Sequence, residues 1–161
     1  TSKVRGTSVL GGAFMDLLVF GAMGPDLKTG VFPVWGDPDQ PYDFTATDDL
    51  AKYIAAVALD ASAPRVVRVA GDTKSPRQIA AIVEDIRRTP VTLQPAGTLA
   101  ELDATIAKLH AADPAPTEMF PRWQQLQYVR DMASGRGKLA PLDNARYAAI
   151  RPQTIDQLLR R

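Results

Sequence analysis

The residues of this 161-residue chain best suited to chemistry are its glycines, its single histidine and its clustered aspartates. The stretch Thr7-Ser8-Val9-Leu10-Gly11-Gly12-Ala13-Phe14-Met15-Asp16 runs a short apolar strand straight into two glycines. A strand that ends this way is where a dinucleotide is often cradled. Such a cradle needs G-x-G-x-x-G between strand and helix: one glycine for the turn, one for approach of the diphosphate, one for helix–strand packing. The glycines at 6, 11, 12, 21 and 24 have a different spacing, and Phe14, Met15, Leu17 and Leu18 crowd the turn that follows. No G-x-x-x-x-G-K-[ST] occurs either. The phosphate cradle is missing.

Other chemistries fare no better. With no cysteine, the sequence excludes disulfides, thiolate catalysis and cysteine-bound zinc. His110 falls in the last turn of an expected helix, where an imidazole is comfortable at the negative end of the dipole. One histidine without cysteine makes a metal site improbable, and no G-x-S-x-G supports a Ser-His-Asp triad. Asp37, Asp39, Asp43, Asp48, Asp49 and Asp143 sit first of all at turn and cap positions. No catalytic residue is assigned.

The elements that would position a site are clearer. Val9-Leu10 form a strand closed by Gly11-Gly12, and the stretch from Gly21 to Gly36 reads as a loop with a short strand or hairpin, in which Pro33 argues for an edge. Asp37–Pro41 is a turn, and Tyr42–Thr45 a second extended piece. Thr45 or Thr47 then caps a helix with Leu50, Ile54, Val57 and Ala58 on one face. Arg65–Gly71 reads as a β-branched strand, followed by a capping box at Ser75–Gln78 with Pro76 at the first helical position. That helix carries Ile79, Ile82, Val83 and Ile86 inward and ends at Arg87-Arg88. Val91–Leu93 is the next strand, and Thr98 with Glu101 boxes a helix bearing Leu102, Ile106 and Leu109. Pro114 and Pro116 end it. A helix over 118–133 carries Phe120, Trp123, Leu126 and Val129, and Thr154 opens a terminal helix. Strands alternating with helices predict an α/β layered fold.

Composition bounds the partners. The 19 basic and 18 acidic side chains leave a net charge of +1, which gives no reason to expect nucleic acid or an anionic membrane as partner. No run approaches the ~20 apolar residues of a membrane span, and the start lacks the pattern of a signal peptide. Residues 1–161 therefore read as one soluble, cytoplasmic domain.

Taken in order, "VLGGAFMD", "YDFTATDDLAKYIAAVALD", "VVRVAGDTKSPRQIAAIVEDI" and "PLDNARY…RPQTIDQLL" resemble the second half of an NmrA-like protein. These are atypical short-chain dehydrogenase/reductases, a group that includes isoflavone-reductase-like enzymes. The resemblance runs from about residue 7 to 159. It implies a partial Rossmann-type NAD(P)-binding fold, the C-terminal part with its substrate-binding subdomain, from which the glycine-rich first βαβ unit is absent. It also implies NADP or NAD as cofactor, with Gly11, Gly12, Ala13 and Phe14 beside the nicotinamide end. Met15, Asp16 and Phe44 would line the substrate side, and Trp123 and Tyr128 would roof the pocket. Ordinary core packing is the alternative for Phe14, Phe44, Trp123 and Tyr128. Family enzymes tend to carry a catalytic lysine on the helix before the first strand seen here; Lys3 stands too close to that strand, and the role is not carried over to it. The function implied is the substrate side of a reductase that transfers hydride to a small carbonyl, enone or quinone-like substrate, inactive without the Rossmann half. A non-catalytic NAD(P)-sensing regulator or protein-binding module is the alternative. A half-fold exposes apolar surface, so the expected partner besides substrate is the missing N-terminal half or a second copy of the chain.

Overall fold

Local capping and strand signals alternate along the chain, and the computed structural model, which describes residues 6–19 and 23–161, assembles them as a mixed α/β fold with parallel strand pairs. Lys3 and Gly21 lie outside the described residues. In chain order the elements are β1 (Ser8–Leu10), β2 (Ala13–Phe14), α1 (Asp16–Val19), β3 (Val31–Trp35) and β4 (Tyr42–Thr45). Then follow α2 (Thr47–Leu59), β5 (Val66–Arg68), β6 (Asp72–Lys74), α3 (Pro76–Arg87) and β7 (Thr92–Gly97). The chain ends with α4 (Leu99–Ala112), α5 (Arg122–Ala133), a 3-10 turn at Asn144–Tyr147 and α6 (Ile155–Leu159).

Three small sheets result among the described residues. β1 pairs in parallel with β5, Ser8 opposite Val66 and Leu10 opposite Arg68. β4 is the centre of the second sheet, parallel to β2 and antiparallel to β6. β3 and β7 form a parallel pair with an irregularity at Val34/Trp35. Each strand of that last pair has a free edge among the described residues, so the missing N–H of Pro33 breaks no ladder. The two-residue β2 and the polar β6 were not foreseeable from pattern. The expected strand over 65–71 is only three residues long, and the chain then turns at Gly71 into β6.

The main core gathers Met15, Phe32, Phe44, Ile79, Val83 and Ile155 between β4, α3 and α6. A second cluster joins Tyr53, Val57, Val67, Val69 and Tyr147. A third, Leu102, Ile106 and Leu126, holds α4 to α5. Burial of such side chains, worth about 1.5–3 kcal/mol each, is the main force assembling the layers.

Two helices depart from expectation for physical reasons. α2 buries Val57 as expected, with Leu50 partly buried against the same cluster, but Asp49 and Tyr53 complete the buried face while Ile54 is half exposed. The rotation is affordable because buried Asp49 accepts hydrogen bonds from Lys52 Nζ and the Gln153 N–H, both at 2.7 Å. α5 begins at Arg122 rather than 118, with Pro121 as its extended N-cap residue. A proline ring disfavours helical geometry in the residue before it, so Phe120 is left outside the helix. By contrast, the boxes at Ser75/Gln78 and Thr98/Glu101 form as expected, and Thr154, expected to open the terminal helix, forms a third box with Gln157.

The segment after α5 is fastened by polar side chains rather than by a strand. Asp143 accepts the Arg68 N–H at 2.8 Å and donates its own N–H to the Arg68 carbonyl at 2.7 Å. Asn144 bonds both the N–H and the carbonyl of Ala70, and its amide also donates to the Tyr53 hydroxyl at 3.0 Å. The free edge of β5 is thereby covered. No helix among the described residues is long and apolar enough to cross a membrane.

Candidate functional site

β1 delivers Gly11 and Gly12 to a cavity of about 370 Å³ whose other walls include Tyr128, Asp131, Gly137 and Leu139. Gly12 has φ 67°, a conformation that favours glycine. A Cβ there would run into the carbonyl oxygen of Asp43, and a Cβ at Gly11 would lie 2.9 Å from Leu50 Cδ1. Both glycines thus permit close internal packing as well as an open cavity floor. Ala13 is fully buried, whereas Phe14 is 41% exposed beside it. Tyr128 is 46% exposed and packs edge-on against Phe120, ring centroids 6.1 Å apart.

The other residues expected at the site lie elsewhere. Met15 and Phe44 are fully buried in the main core. The Asp16 carboxylate accepts hydrogen bonds from the N–H and hydroxyl of Thr47, at 2.8 and 2.7 Å. Trp123 packs against His110 between α4 and α5, ring centroids 4.5 Å apart, with its indole N–H buried and unpartnered among the described residues. Of the nine residues singled out, the cavity brings together Gly11, Gly12 and Tyr128. Asp131, Gly137 and Leu139 were not singled out; the Ser134–Lys138 turn, rich in glycine, is the only local signal near them.

Asp43 and Asp60 are both engaged in structure. Asp43 is fully buried among donors from Thr73, Lys138 and Leu139. Asp60 is pulled down to about 2 by hydrogen bonds from the Ser62 hydroxyl and from Arg146. Burial, with the Asp37 charge, pushes the Tyr42 phenol up to about 12, so it stays protonated at neutral pH. Among the described residues no group of three or more potential metal ligands converges. The glycine spacing of the sequence carries neither of the two phosphate-loop motifs. The cavity is lined by backbone at Gly11, Gly12 and Gly137 and by the Tyr128 ring.

No protein-family model matches the sequence, and no curated protein matches it. Solved structures do share its fold. One is AtPrR2 with NADP+ and (+)pinoresinol, at TM-score 0.73 and 15% identity, with 96% of this chain covering 50% of that one. Another is leucoanthocyanidin reductase with NADPH from Vitis vinifera, at TM-score 0.72 and 13% identity, 94% of this chain covering 50%. A third is the NADPH-dependent quinone oxidoreductase QOR2 from Escherichia coli, complexed with NADPH, at TM-score 0.64 and 20% identity, 92% of this chain covering 50%. The chain spans about half the length of these solved structures.

Proposed function

With the fold of half an NmrA-like, isoflavone-reductase-like protein as premise, we propose that this chain is the substrate-side part of an NAD(P)-dependent reductase. The observation that supports it most is that several of the matching structures hold NADP+ or NADPH and are matched over about half their length. The cofactor supplies hydride to a small carbonyl, enone or quinone-like substrate when bound. Gly11 and Gly12, which line the cavity, would lie beside the nicotinamide end, followed in the chain by buried Ala13 and exposed Phe14. Tyr128, packed edge-on against Phe120, lines the same cavity and would help keep water from the ring. The diphosphate is gripped by protein outside these 161 residues, which fits the lack of a phosphate cradle among those described.

A non-catalytic NAD(P)-sensing role is the second reading. It is favoured by the cavity's lining, in which Tyr128 and Asp131 are the titratable side chains and no acid–base pair is set. The deciding experiment is titration of this chain with NADPH, followed by fluorescence and calorimetry. No saturable binding at micromolar concentration is expected. Tight binding by the chain alone would sink the claim that the phosphate grip lies elsewhere.

A further inference from the structure

The cavity beside Gly12 is walled by segments far apart in sequence, and one residue touches both. Asp43, on β4, is fully buried. Its main chain backs onto Gly12, where its carbonyl oxygen leaves no room for a side chain. Its carboxylate reaches the other way. Oδ1 accepts from Lys138 Nζ and from Thr73 Oγ1, each at 2.6 Å, and Oδ2 accepts the Leu139 N–H at 2.7 Å. Gly137 and Leu139, on either side of Lys138, line the cavity opposite Gly11 and Gly12.

A carboxylate removed from water must be met by donors, and a charged donor meets it best. The Lys138 side chain is 38% exposed, yet it carries its ammonium down to a carboxylate that is fully buried. The turn it belongs to contains Gly135 and Gly137, which bring backbone freedom and no side-chain packing of their own. On the α5 side that turn is held by the Gly137 N–H, which donates to the Asp131 carbonyl at 2.8 Å. On the β4 side it is held by Asp43. The geometry points to the Asp43–Lys138 ion pair as the clasp that fixes the separation of the cavity's two walls. Asp43 and Lys138 are then positioning residues for whatever enters beside Gly12. The functional meaning of the clasp rests on the reading of the cavity above; its existence does not.

The chain has no cysteine, so spin labels can be placed cleanly at Leu10→Cys and Arg136→Cys, one exposed position near each wall. Pulsed electron resonance on this pair should give one narrow distance peak. Lys138→Met leaves Asp43 its Thr73 and Leu139 donors, and should broaden the peak and shift it to longer distances. Lys138→Arg, which keeps the charge, should restore it. Thr73→Val removes a donor that is on neither wall and should leave the peak unchanged. An unchanged distribution in Lys138→Met overturns the clasp, as does a Thr73→Val variant that broadens equally. Should the methionine variant fail to fold, Lys138→Gln is read by the same criteria. Failure of the NADPH titration leaves this measurement intact, so the two ideas can be told apart.

Discussion

Asp16 serves as the missing N-cap of α2: its carboxylate takes the N–H and the hydroxyl of Thr47 from 31 residues away, while the true N-cap position is Ala46, which offers no side-chain acceptor. An acidic side chain there also meets the positive end of the helix dipole. The link ties α1 to α2, and it gives a residue expected to face substrate a structural task.

Asp16→Ala should therefore destabilise the chain by about 1 kcal/mol, the usual cost of losing a cap. Burial acts to raise the Asp16 pKa, but the Thr47 hydrogen bonds outweigh it and hold the carboxyl below its ordinary value of 3.8. The stabilisation is thus fully present above pH 3.8 and is lost as pH falls through the lower folded value. Urea unfolding of wild type and variant at neutral pH and at acid pH checks this. An equal difference at both would contradict it.

Asn144 holds three partners at once, the two backbone groups of Ala70 and the Tyr53 hydroxyl. Asn144→Ala leaves them without those bonds in a part-buried place and should cost on the order of 2 kcal/mol. Tyr53→Phe removes one of the same bonds and should cost less. Because the two share a bond, the double variant should fall short of the sum of the singles. Strict additivity in denaturant melts would show that the Asn144–Tyr53 bond contributes nothing.

What could be read from sequence was what is local. Ser75–Gln78, Thr98–Glu101 and Thr154–Gln157 lie within one turn of themselves, so their caps were legible at sight. The cap of α2 was not, because its acceptor, Asp16, comes from another element. Likewise the inward turn of Asp49 depends on the Gln153 N–H, 104 residues on, and no periodicity can announce such a partner. In the candidate site the strand and its glycines were evident from the run Val9–Gly12. The opposite wall was not, since Lys138 and Leu139 are bonded to Asp43, about a hundred residues earlier in the chain. The resemblance to a reductase half survived these misreadings because it rests on the order of elements, which the solved structures share.

Asp60 offers a direct test of the charge placement at the far end of α2. Its carboxylate accepts the Ser62 hydroxyl and the Arg146 guanidinium, each at 2.7 Å, and its pKa is held at about 2. Ser62→Ala and Arg146→Ala should each move that value up toward the ordinary 3.8, read from the carboxyl carbon shift in an NMR titration. In wild type the stability this group contributes is present above pH 3.8 and disappears as pH drops toward 2. Identical titration curves in all three proteins would mean that the Ser62 and Arg146 contacts do not persist in solution.

Gly11 and Gly12 stand side by side, yet they should respond very differently to alanine. At Gly12 two obstacles coincide: a φ of 67°, and backbone atoms of Asp43 where the new methyl would go. Neither obstacle can move without shifting β4, whose residue Asp43 also holds Lys138 and Leu139. Gly12→Ala should cost on the order of 1–3 kcal/mol from backbone strain, with the clash added to it. At Gly11 the nearest atom is the tip of Leu50, a side chain that can rotate aside, and the backbone conformation is unremarkable for an L residue. Gly11→Ala should therefore cost well under half as much in a thermal or urea melt. Equal losses at the two positions, or a neutral Gly12→Ala, would place Asp43 away from Gly12 and remove the support for a cavity floor built from these glycines.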